Sequence, residues 1–100
     1  MIDFLKKVNI HDNTITKIKN QYNDSTLFDL SCNAENCLKI INYLKELGVT
    51  NINELLINEL DIFKLNYEEL VKRFGKFNIP LLVSLINDDY IAIEHIFDIE

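Results

Sequence analysis

Glycine occurs twice in the 100 residues and proline once, and tryptophan not at all. So little turn chemistry argues against an all-β domain built on tight hairpins. Alanine is nearly missing too, at Ala34 and Ala92 only. Helices in such a chain must draw on packing more than on intrinsic propensity. Cys32 and Cys37 are the only cysteines, with no CxxC and no accompanying His pair. They exclude a disulfide framework and point to a reducing, cytosolic setting. The start, MIDFLKKV, lacks the apolar core of a signal peptide. No apolar run approaches the ~20 residues needed to span a bilayer. Sequence signatures of common catalytic folds are missing as well: there is no GxxxxGK[ST], GxGxxG, HExxH or GxSxG.

What is present is hydrophobic side chain, 48% of the residues, and acid. That is enough apolar matter for one core in a single domain over residues 1–100. The net charge of −6 sits wholly in the second half. From Asp88 onward there are five acids and no Lys or Arg. Such an end repels nucleic acid and anionic membranes alike.

Apolar periodicity points to helices throughout. A short one is expected over Asp3 to Val8. Asp12 or Asn13 should cap the next, with Ile15, Ile18 and Tyr22 inward. Leu27 to Leu30 read as a brief 3₁₀-like turn behind Asp24-Ser25. The clearest helix runs from Ala34 to Leu47 behind an Asn33 cap, with a stripe of Cys37, Ile40, Ile41, Leu44 and Leu47. Gly48 falls where a left-handed residue ends a helix. Asn51 with Glu54, and Asn66 with Glu69, resemble capping boxes. Pro80 suits a first helical turn. Asn87 or Asp88 should cap a final helix, from about Asp89 to Phe97, with Tyr90, Ile93 and Phe97 on its inner face.

Beneath this lies a degenerate internal likeness. Ile15 answers Ile52, Ile18 answers Leu55, Phe28 answers Phe63, and Asn33-Ala34-Glu35 answers Asn66-Tyr67-Glu68. Leu82, Leu85 and Ile86 open a truncated third copy answering Ile52, Leu55 and Leu56. The expected fold is all-α: a short array of degenerate helical repeats, about two and a half units and roughly six helices. The unit of Leu47-Gly48-Val49, Leu55-Leu56, the LDIF turn and YEELVKRF resembles the repeats of the mitochondrial transcription termination factor family. That resemblance spans residues 13 to 97 and implies a helical-repeat fold and nucleic-acid binding on a basic concave face. Leu60 stands where the family carries its turn proline, and this chain is acidic.

Candidate chemistry is sparse. His11 and His95 have no metal-ligand constellation around them, Cys37 shares a core stripe, and Asp88-Asp89 suit a helix start. The expectation is a protein that is not an enzyme and takes no metal or cofactor. Lys72, Arg73 and Lys76 are the candidate nucleic-acid contacts, although Phe74 and Phe77 near them lie on the core stripe and offer no stacking platform. Lys6, Lys7, Lys17 and Lys19 form a second small basic group. The last helix supplies the candidate protein interface: Tyr90, Ile91, Glu94, His95, Asp98 and Ile99, apolar residues rimmed by acids. The leading reading is a cytoplasmic protein-interaction module that binds an unidentified partner or itself. An acidic inhibitor seated in another protein's basic nucleic-acid groove is the second, and nucleic-acid binding by family analogy the third.

Overall fold

The computed structural model describes residues 1–98. Among them the chain is all-α, with no strand. Six α-helices and three 3₁₀ helices follow one another: η1 (Asp3–Val8), α1 (Asp12–Gln21), α2 (Asp24–Cys32), α3 (Ala34–Leu47), α4 (Ile52–Asn58), η2 (Leu60–Lys64), α5 (Tyr67–Phe74), α6 (Ile79–Asp88) and η3 (Tyr90–Phe97). One continuous core runs from Ile2 to Ile96.

Helix α3 is the hub. Cys37, Ile40, Ile41 and Leu44 on its stripe are completely buried, and Leu47 is half-buried. Around it pack η1, α2, α4, η2, α5 and α6. Its end is a Schellman motif. Val49 N–H donates to Leu44 O at 3.0 Å and Gly48 N–H to Lys45 O at 3.1 Å, with Gly48 at φ 96°. A Cβ on Gly48 would meet Val83 at an ordinary 3.9 Å, so the left-handed backbone, not crowding, calls for glycine there.

Asparagine amides join the elements. The side chain of Asn36 on α3 donates to Leu65 O at 2.6 Å and accepts from Tyr67 N–H at 2.8 Å. It thereby serves as a surrogate backbone partner for the entry to α5. Asn87 on α6 accepts from Thr50 N–H at 2.9 Å and donates to Gly48 O at 3.0 Å. Asn51 donates to Ile86 O at 2.8 Å. The α3–α4 joint therefore docks on the C-terminal end of α6.

Several sequence expectations change in the structure. The brief turn after Asp24 is a nine-residue α-helix, α2, because Asn23 caps it by accepting from Thr26 N–H at 2.9 Å. Asp12 caps nothing; it lies in the first turn of α1 and pairs with Lys6 at 3.0 Å. Asn33 and Asn51 stand at N-cap positions without capping, because their amides are drawn to carbonyls elsewhere. Asn66 and Asn78 do cap, accepting from Glu68 and Glu69, and from Leu81. Asp89 rather than Asn87 or Asp88 caps the final element.

Burial agrees at some of the positions paired along the sequence and differs at others. Phe28 is 58% exposed while Phe63 is fully buried. Leu27, Leu30, Cys37 and Ile41 are instead buried like Leu60, Phe63, Leu70 and Phe74. Leu85, expected inward like Leu55, points to solvent.

Candidate functional site

The final element is a 3₁₀ helix, not an α-helix, and that alters which side chains share a face. Its i→i+3 bonding is seen at both ends, in Ala92 N–H to Asp89 O and Asp98 N–H to His95 O. In a 3₁₀ helix, side chains three apart eclipse and form three straight lines. Tyr90, Ile93 and Ile96 make the core line; Ile93 and Ile96 are fully buried and Tyr90 half-buried. Phe97, expected inside with Ile93, is 42% exposed, and Ile96 is buried in its place. Three β-branched Ile residues weaken α-helical preference here. Burial of Ile93 and Ile96, worth about 1.5–3 kcal/mol each, favours the line that the 3₁₀ geometry offers.

The line Ile91–Glu94–Phe97 is exposed, and in the line Ala92–His95–Asp98 only Ala92 is half-buried against the core. Helix α6 packs on η3 more extensively than any other two elements pack on each other. Between them lies an open cleft of about 390 Å³. Leu85, Ile91 and Ala92 supply its apolar surface. Asp88, Asp89, Glu94, His95 and Asp98 surround that surface. Leu81 stands one turn before Leu85 on the same side of α6. Of the six large hydrophobic side chains exposed in the described chain, four belong to these two elements: Leu81 at 57%, Leu85 at 44%, Ile91 at 51% and Phe97. His95 Nδ1 lies 3.8 Å from Asp98 Oδ2.

The cleft thus gathers Ile91, Glu94, His95 and Asp98 from the expected interface, and leaves Tyr90 on the core line. Ile99 lies outside the described residues. Leu81 and Leu85 were missed from sequence, although a signal was there. In PLLVSLIND apolar residues cover too wide an arc for one buried stripe, so some had to face water.

A second carboxylate bears on Glu94. Burial first, then the hydrogen-bonded carboxylate of Glu94, then Asp61, push the Glu59 carboxyl up to about 7. Glu59 follows α4, so the neighbouring carboxylates bring the α4–η2 turn beside η3.

The basic candidates divide. Arg73 is used internally: Nη1 donates to Ile96 O at 2.8 Å, Nε pairs with Glu69 at 3.1 Å, and the guanidinium lies 5.9 Å from the Phe97 ring centre. It ties α5 to η3. Lys72 and Lys76 are exposed. Phe74 is fully buried and Phe77 half-buried, so neither ring offers the two lysines an open stacking platform.

Of the sulfurs, Cys37 is buried, which pushes its thiol up to about 12, and Cys32 is exposed. Among the described residues, no group of three or more His, Cys, Asp or Glu side chains could hold a metal ion. No helix among the described residues is long and apolar enough to cross a membrane. No protein-family model, no curated protein and no solved structure matches this chain.

Proposed function

We propose that this chain is a non-catalytic protein-interaction module whose contact face is the cleft between α6 and η3. The observation that carries the reading is the gathering of exposed apolar side chains at one end of the fold, within a rim of acids. Scattered exposed hydrophobics are ordinary on a protein surface, whereas a cluster rimmed by polar groups is the pattern of a partner site. Free Cys32 and Cys37 fit a reducing, cytoplasmic setting for this activity. The shared burial pattern of α2–α3 and η2–α5 supports descent from a helical repeat, with α6 and η3 closing the array.

A second reading, the acidic inhibitor of a basic nucleic-acid groove, is favoured by the carboxylates of the rim. It leaves Leu81, Leu85 and Ile91 without a role, so it ranks behind the first. Nucleic-acid binding by analogy with transcription termination factor repeats ranks last, because Arg73 is taken up by Glu69 and the Ile96 carbonyl.

The test is affinity capture of partners from the cells that make the protein, with and without nuclease, using the wild type and a Leu85→Gln/Ile91→Gln variant. Both side chains are exposed, so the variant keeps its fold, as circular dichroism would verify. Loss of the captured proteins in the variant, unchanged by nuclease, is the expected result. Undiminished capture by the folded variant rejects the assignment of this face.

A further inference from the structure

The chemistry of the cleft narrows what it can hold, given the contact-face reading above. Its floor is short and apolar. Helix α6, with ten residues, is about 15 Å long; Leu85 projects from it into the cleft, and Leu81 is exposed one turn earlier, outside the lining. Ile91 adds to the same floor from η3. The rim is anionic: Asp88, Asp89, Glu94 and Asp98 line it, and its one basic side chain, His95, lies beside Asp98.

Three common ways of holding a peptide can be compared with this geometry. Strand addition needs an open sheet edge, and there is no strand among the described residues. Polyproline recognition needs aromatic walls, and no Phe, Tyr or Trp side chain lines the cleft. A helix laid in a groove needs only apolar side chains to receive its stripe and a rim that matches its polar shoulders. A two-fold contact with a second copy would set the same carboxylates against one another, which like charge opposes. Attraction to the rim calls instead for Lys or Arg.

We propose that the cleft between α6 and η3 binds a cationic amphipathic helix of a partner protein. The apolar stripe of that helix lies on Leu85 and Ile91, and its Lys or Arg side chains meet Asp88, Glu94 and Asp98. A helix of about three turns matches the length of α6.

Three synthetic peptides of about four turns test this. The first carries a Leu stripe with Lys on the other faces. The second replaces every Lys by Glu. The third has the composition of the first with its Leu residues scattered. Fluorescence anisotropy reads affinity for the intact chain, and amide chemical shifts read location. The first peptide should bind at least about tenfold more tightly than the other two, shifting amides within residues 81–98. Leu85→Gln/Ile91→Gln should weaken it by about tenfold or more. Asp88→Lys/Asp98→Lys should exchange the preference, favouring the Glu peptide over the Lys peptide.

Equal binding of the scattered peptide would mean that charge alone attracts it, and would overturn the inference. So would binding of none of them. If no peptide binds while Leu85→Gln/Ile91→Gln still loses its captured partners, the face is a contact site for some other structure. If the first peptide binds as expected but that variant keeps its partners, the cleft's preference stands and the functional reading falls.

Discussion

At the scale of the residue, Leu44 and Glu59 mark two opposite kinds of contribution. Leu44 sits at the middle of the α3 stripe and is completely buried. Leu44→Ala should therefore cost about 2–5 kcal/mol, the lost transfer free energy plus the cavity left behind. Denaturant melts measure it, and a loss below about 1 kcal/mol would mean that the site collapses around the smaller side chain. Glu59 acts in the other direction. Its folded value, about 7, lies above its usual 4.5, so the folded state holds the proton more tightly than the unfolded chain does. Below about pH 4.5 both states are protonated and this contribution to stability is complete. As pH rises from there to about 7, the unfolded chain ionises first, and the contribution is lost. Wild-type melting temperature should thus fall between about pH 4.5 and 7 more steeply than that of Glu59→Gln, which cannot ionise. Parallel pH profiles for the two proteins would reject the raised Glu59 carboxyl.

At the scale of the element, η3 is held by a small set of specific ties in addition to its packing on α6. It docks through Ile93 and Ile96, is capped by Asp89, and is fastened to α5 by Arg73. A hydrogen bond from a charged donor contributes about 1.5–3 kcal/mol. Arg73→Ala should destabilise η3 by about that amount and leave the α3 hub intact. Amide exchange checks it: protection should drop in residues 90–97 and persist in Cys37 to Leu44. Arg73→Lys should not restore protection, because a lysine cannot meet Glu69 and the Ile96 carbonyl in the same planar fork. Uniform loss of protection across the chain would show that Arg73 supports the whole core and not this element.

At the scale of the whole molecule, charge decides what approaches. Ten acids in the second half oppose three Lys and one Arg, of which Arg73 is paired with Glu69. Generic DNA or RNA should therefore bind more weakly than about 1 μM at physiological salt. A salt titration settles the point. Sub-micromolar affinity with a steep slope, reduced by Lys72→Ala and Lys76→Ala, would restore the nucleic-acid reading that the family resemblance implies. The −6 net charge also opposes self-association through the acidic end, so light scattering at neutral pH should give the mass of a single chain.

Sequence alone determined the helical class, the α3 stripe and the joint at Gly48, because each depends on local chemistry. Apolar spacing of 3.6 marks a helix wherever it packs, and a glycine past the last turn ends it by backbone freedom alone. It also marked Ile91, Glu94, His95 and Asp98 as an apolar and acidic end of the chain. Residues with two possible partners were beyond its reach. Arg73 has the same helical spacing to Glu69 whether it is free for a phosphate or fastened to the Ile96 carbonyl, and only the position of η3 chooses. Asn33 and Asn51 carry the side chain of a cap, but carbonyls of Asp29 and Ile86 take their amides. Helix α6 has more apolar residues than one core face can take, so the packing of neighbours assigned Leu82, Val83 and Ile86 inward and left Leu81 and Leu85 outside. The 3₁₀ winding of η3, which buries Ile96 and turns Phe97 outward, is likewise tertiary in origin. Three and 3.6 residues per turn differ little over two turns, and what separates them here is the core line that Ile93 and Ile96 fill.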